Sequence, residues 1–143
     1  MTNLITIKQI FDKDKFKEAL REVYLLKITD DFLNEIANKA IERDIDDKHL
    51  MFVALNESDG IIGGLIVELI DKPQFKITRF FGSAPRISAA LLEYVLPDMY
   101  NKGYDSVIDI TTTSSRAKLF SRIVNRINAS QSMNIELEFN LIN

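Results

Sequence analysis

A chain of 143 residues, 46% hydrophobic and 27% charged, can bury one sizeable core but not two, so residues 1–143 are expected to form a single domain. With no cysteine and one histidine it forms no disulfide and assembles no Cys/His zinc site, and no metal is expected. The net charge of −3 is uneven: residues 1–71 hold nine basic and 15 acidic side chains, whereas residues 72–126 hold nine and four, a positive segment that suits an anion or simply water.

No basic stretch precedes an apolar run at the N-terminus, and no apolar run reaches the length of a membrane span, so a soluble, intracellular protein is expected. Ile5 and Ile7 alternate with Thr6 and Lys8, which predicts a half-buried strand over residues 3–10. Asp12 or Asp14 can cap a helix with Phe16, Leu20, Val23 and Tyr24 on one face. A second amphipathic stripe follows, with Phe32, Leu33, Ile36, Ala37, Ala40 and Ile41. Residues 50–55 then read as a strand, residues 56–60 as a turn, and residues 61–70 as a longer strand, together a hairpin. Lys72 and Pro73 break that strand, and Phe75, Ile77, Phe80 and Phe81 carry a third that should pair with it before Gly82.

Pro85 suits the first position of a helix, with Ser83 as a cap and Ile87, Leu91, Tyr94 and Val95 as the buried face. Pro97 is expected to kink that helix or end it early, and Gly103 to close it. Residues 105–112 predict a buried strand. Thr113 to Ser115 offer caps for a helix whose Leu119, Ile123 and Ile127 line one side. In the tail, Ile135, Leu137, Phe139 and Leu141 face one way, and Asn134, Glu136, Glu138 and Asn140 the other, which predicts a strand with one wet face.

The order strand, two helices, three-strand meander, helix, strand, helix, strand resembles the GNAT N-acetyltransferase superfamily over nearly the whole chain. That resemblance implies an α/β (α+β) fold with a mixed, mostly antiparallel central sheet flanked by about four helices. The strand near Ile108 should lie beside the one near Ile77, and the last strand should join the sheet. The segment from Ser83 to Leu92 lies where the family places its cofactor loop, Q/R-x-x-G-x-G/A followed by an aliphatic pair. Ile87, Leu91 and Leu92 fit, whereas Ser83 stands for the leading Gln or Arg, Arg86 for the first Gly and Ser88 for the second. In the family this loop sets helix-start N–H groups against the pyrophosphate of acetyl-CoA, and glycine permits the approach. Arg86 either pairs with a phosphate itself or is an exposed arginine on a helix cap.

The segment from Ser114 to Ser121 is similar to the family's Asn-x-x-Ala-x-x-Phe-Tyr, with Ser114 in place of Asn, Ala117 and Phe120 matching, and Ser121 in place of the Tyr. By resemblance Ser121 would reprotonate the departing thiolate, at shorter reach than a tyrosine. A base is also required; Glu68, the acid on the central strands, serves if it is buried, or else points to solvent. The resemblance therefore implies cofactor-binding Ser83, Arg86, Ile87 and Ser88, and catalytic Glu68 and Ser121.

So many replacements at once resemble GNAT-like chains with eroded cofactor loops of the kind encoded by tailed bacteriophages. They imply a non-catalytic or atypical accessory protein, virion-associated in that case, that meets a protein partner or a second copy through the open edge of residues 133–143. The alternative is acetyl-CoA-dependent N-acetylation of an amine. Other groupings carry less. Asp44, Asp46 and Asp47 lack the glycine and distal glutamate of a calcium loop, and His49 has no partner residues for a triad. Gly63 and Gly64 mark a bulge or close backbone approach. Arg79, Arg116, Lys118, Arg122 and Arg126 could face nucleic acid, which the acidic remainder opposes.

Overall fold

Strands β1 (Thr6–Ile10), β2 (His49–Leu55), β3 (Ile61–Leu69) and β4 (Gln74–Gly82) pair antiparallel, and β5 (Ser106–Thr113) and β6 (Glu136–Ile142) extend the same sheet in parallel. Spatial order follows chain order, so the six expected strands and the place of the last two stand as read from the sequence. The structure is a computed structural model that describes residues 4–12, 14, 15, 17–19 and 48–142.

Asp12 begins a helical segment: its Oδ1 accepts the N–H groups of Asp14 and Lys15 at 2.9 and 3.4 Å, the capping expected at this point. Most of that helix, all of the next expected helix, and Asp44, Asp46 and Asp47 lie outside the described residues. The β2–β3 hairpin is made by Asn56, whose Oδ1 accepts from the N–H groups of Ser58 and Gly60 at 3.0 and 2.8 Å, while Asp59 takes φ 62°.

Helices α1 (Pro85–Asn101) and α2 (Ser114–Gln131) lie whole within the described residues. Pro97 does not end α1, which runs on to Asn101. Proline there removes a donor to the carbonyl of Glu93, an exposed residue whose carbonyl water can serve, while the ring itself is buried. The helix closes as expected at Gly103, φ 95°: its N–H donates to the Tyr100 carbonyl at 3.0 Å and that of Tyr104 to Met99 at 2.9 Å, the Schellman pattern. In α2 the cap is Thr113, whose Oγ1 accepts the Arg116 N–H at 3.3 Å.

The main core lies between one sheet face and both helices, with Phe52, Leu65, Val67, Phe75 and Val107 meeting Leu92, Val95, Met99, Ile123, Val124 and Ile127. Two helix positions expected to be buried are exposed. Leu119 is 50% exposed because the buried stripe of α2 runs through Ala117, Ile123, Val124 and Ile127, whose centre lies about 100° around the helix from it. Tyr94 is 44% exposed, at the margin of the α1 face, and touches the core only edge-on, with its ring centroid 6.3 Å from that of Phe52. A smaller cluster of Ala19, Met51, Val53, Leu55 and Ile66 occupies the other sheet face. No helix among the described residues is long and apolar enough to cross a membrane.

Candidate functional site

Parallel strands normally stay paired along their length; β4 and β5 do not. They share a ladder only at Gln74 with Ser106 and Phe75 with Val107, then part. Each strand bulges just past that point. In β4, Ile66 pairs with Arg79 and Val67 with Ile77, which leaves Thr78 as the extra residue, its Oγ1 donating to the Ile66 carbonyl at 3.4 Å. In β5 the register with β6 slips between Val107 and Ile110, where Asp109 takes φ 59°. A bulge bends its strand, and two of them turn the pair into a gap that widens toward Gly82 and Thr113.

At the wide end β4 runs straight into α1. The Ser83 N–H donates to the Ile62 carbonyl at 2.9 Å, and the Ala84 carbonyl accepts from Ile87 and Ser88 at 3.0 and 3.3 Å. The cap is Ala84 with Pro85 following, so Ser83 does not cap the helix as expected: it sits one residue too early and is tied to β3 through its backbone. With no side-chain cap and no acid in the first turn, the helix start keeps its positive end open. A Cβ on Gly82 would stand 2.5 Å from Ser88 Oγ and 3.0 Å from Ser88 N, so glycine is what lets β4 lie against the first turn. Gly63 plays the close-approach part read from the sequence, since a Cβ there would meet Ile87 Cγ2 at 2.8 Å.

The residues expected from the resemblance to meet a cofactor lie at this helix start, with Ser83 and Arg86 exposed, Ser88 half-buried and Ile87 buried as the anchor of the turn. The catalytic candidates are placed elsewhere. Glu68 lies five residues along β3 from Gly63, about 17 Å, toward the narrow end of the gap. It is on the sheet face away from α1, with Ile66, and stands opposite Lys76 on β4. Its Oε2 is 3.5 Å from Nε2 of His49, whose ring is 7% exposed against 31% for the carboxylate. Ser121 lines an open groove between α2 and β6 together with Phe139 and Leu141, and no residue of β4 lines that groove.

Sequence reading missed Asp109. Its Oδ2 is 3.2 Å from Lys76 Nζ, across the start of the gap, and its Oδ1 accepts from the side-chain amide of Asn140. The signal was an acid between Ile108 and Ile110 in a strand otherwise apolar or β-branched at its centre. No group of three or more His, Asp or Glu suited to a metal ion occurs among the described residues.

No protein-family model matches the sequence, and no curated protein matches it. Solved structures do. A Pyrococcus furiosus protein assigned as an acetyl transferase superposes with a TM-score of 0.52 at 18% identity, over 73% of this chain and 80% of that one. An aminoglycoside acetyltransferase from an uncultured soil metagenomic sample, crystallised with sisomicin, gives 0.50 at 21% identity, over 72% and 74%. The aminoglycoside 6'-N-acetyltransferase of Enterococcus faecium gives 0.51 at 13% identity, over 71% of this chain and 59% of its own. Likeness at identities this low shows the fold alone: with the same strand order and the helix that follows β4, the chain has the fold of these acetyltransferases.

Proposed function

We propose that this domain is an acetyl-CoA-dependent N-acetyltransferase that acts on an amine. The observation that carries the reading is the gap itself: β4 and β5 part after Phe75 and Val107, and the uncapped start of α1 stands at its wide end behind Gly82. A sheet gives up ladder bonds at a cost, and unpaired strand groups that line a gap are suited to an amide-bearing ligand. The acetyltransferase neighbours favour this reading over the accessory role expected from the loop replacements.

The residues present fit such a cofactor. Gly82 lets β4 pack directly against the first turn of α1, and that helix start with Arg86 supplies positive potential for a pyrophosphate where the family's glycine is missing. Acetyl-CoA, when bound, supplies an activated acetyl group whose transfer breaks a thioester C–S bond and forms an amide C–N bond. Glu68, beside His49 near the narrow end, accepts the proton that the attacking amine loses. Asp109 holds the amine's positive charge before that loss, in place of Lys76. Ser121 lies on the β6 flank of α2, and the reading assigns it no step.

Calorimetric titration of the full chain with acetyl-CoA tests this directly. Binding in the micromolar range is expected, with release of free thiol on addition of an acceptor amine. No heat at millimolar acetyl-CoA overturns the reading.

A further inference from the structure

β6 is the last strand of the sheet, and among the described residues only its β5 side is paired. The Glu136 N–H donates to the Asp105 carbonyl at 2.8 Å. Along this strand, therefore, Glu136, Glu138 and Asn140 turn their backbone groups toward β5, and Leu137, Phe139 and Leu141 turn theirs outward. Above the open edge, α2 and β6 bound a groove of about 570 Å³ with Lys118, Ser121, Arg122 and Asn125 on the helix side and Phe139 and Leu141 beneath. Leu141 and Ile142 are 56% and 52% exposed.

Charge decides what fits there. α2 carries Arg116, Lys118, Arg122 and Arg126 and no acidic residue, and neither Lys118 nor Arg122 has an ion-pair partner among the described residues. A second copy is a poor occupant. Pairing β6 with its own copy about a twofold axis offers Lys118 and Arg122 only the copy's apolar Leu137, Phe139 and Leu141 on the helix side, and no acid.

We propose that the β6 edge binds an extended acidic segment of another protein. The segment adds as a further strand, pairing with the outward backbone groups of Leu137, Phe139 and Leu141, and its acidic side chains on the helix side meet Lys118 and Arg122. This site is separate from the gap between β4 and β5 and does not depend on acetyl transfer.

The test is fluorescence anisotropy of a labelled peptide of alternating glutamate and threonine, titrated with the full chain, beside the same peptide with lysine for glutamate. The acidic peptide is expected to bind, less tightly as salt rises, and the lysine peptide not to bind. The double variant Lys118→Glu, Arg122→Glu should weaken the acidic peptide by about fivefold or more, in line with the loss of two solvent-exposed charge pairs. Leu141→Pro, which removes one outward donor and leaves the β5 ladder intact, should weaken it as well; circular dichroism of each variant shows whether it is folded. Equal binding of both peptides, binding of neither, or no effect of the charge reversal overturns the proposal. A dimer in sedimentation velocity that Leu141→Pro dissolves, without peptide binding, overturns it in favour of a second copy.

Discussion

Lys76 Nζ stands 3.2 Å from Asp109 Oδ2, and this ion pair joins β4 to β5 just past the last residues at which the two strands share a ladder. The side chains are 34% and 48% exposed, so water screens the attraction, and loss of either partner should cost less than about 1 kcal/mol of stability. The backbone is more demanding than the charge. At φ 59°, Asp109→Gly should stay within about 1 kcal/mol of the parent, while Asp109→Val should lose about 1–2 kcal/mol more in urea denaturation. Equal stability of the glycine and valine variants would argue against the left-handed bulge.

Gly82→Ala tests the close packing of β4 on the first turn of α1. The added Cβ meets Ser88 Oγ and the Ser88 backbone nitrogen, so the first turn of α1 must move, at a cost of about 1–3 kcal/mol. Acetyl-CoA binding should fall with it. Combining the change with Ser88→Ala removes the 2.5 Å contact but not the 3.0 Å contact with backbone, so calorimetry should show partial recovery only. Full binding by Gly82→Ala alone would place the ligand away from this turn.

Arg86 offers two outcomes from the sequence, a blocked loop or a phosphate ligand. Its side chain is exposed at the helix start, which favours the ligand. Arg86→Ala should therefore weaken acetyl-CoA by about tenfold, the scale of a charge-assisted hydrogen bond, with the melting temperature unchanged. Tighter binding would show that the side chain obstructs the site.

A fourth change concerns the crossover into β6. Asn128 donates from Nδ2 to the Ile135 carbonyl at 3.0 Å and accepts the Ile135 N–H at 2.9 Å, fixing the residue that enters the core just before the strand. Asn128→Ala leaves both groups of a buried residue without those bonds and should cost about 1–3 kcal/mol, read from denaturant midpoints. A loss below that range would mean water replaces the amide.

What the sequence disclosed was local. Alternation at residues 5–8 and 134–141 gave strands, Thr113 before Ser114 gave a cap that forms, and Gly103 gave the end of α1. Misreadings came where two local signals compete. Ser83 has the chemistry of a cap, yet its N–H is claimed by Ile62 twenty-one residues earlier, a pairing no window around Ser83 contains. Leu119 is apolar and lies within one turn of Ala117 and Ile123, and only the packing of α2 tells which side of that turn is wet. The gap arises from two bulges on different strands, at Thr78 and Asp109, and that the two strands part there depends on pairings no local window contains. Glu68 could be marked as an acid among apolar neighbours, but its pairing with His49 depends on strand register.

With two residue pairs as their whole seam, the antiparallel and parallel parts of the sheet behave like two leaves bound at one corner. What keeps them together is side-chain packing: Phe75 and Val107 lie on either side of the seam in the same cluster as Leu92, Met99 and Ile123. Backbone exchange should follow that division. Amides in β2 and β3, inside a continuous ladder, are set to exchange only when the domain opens as a whole, whereas those of β4 past Phe75 that point toward β5 have no strand to shield them and exchange by breathing of the leaves alone.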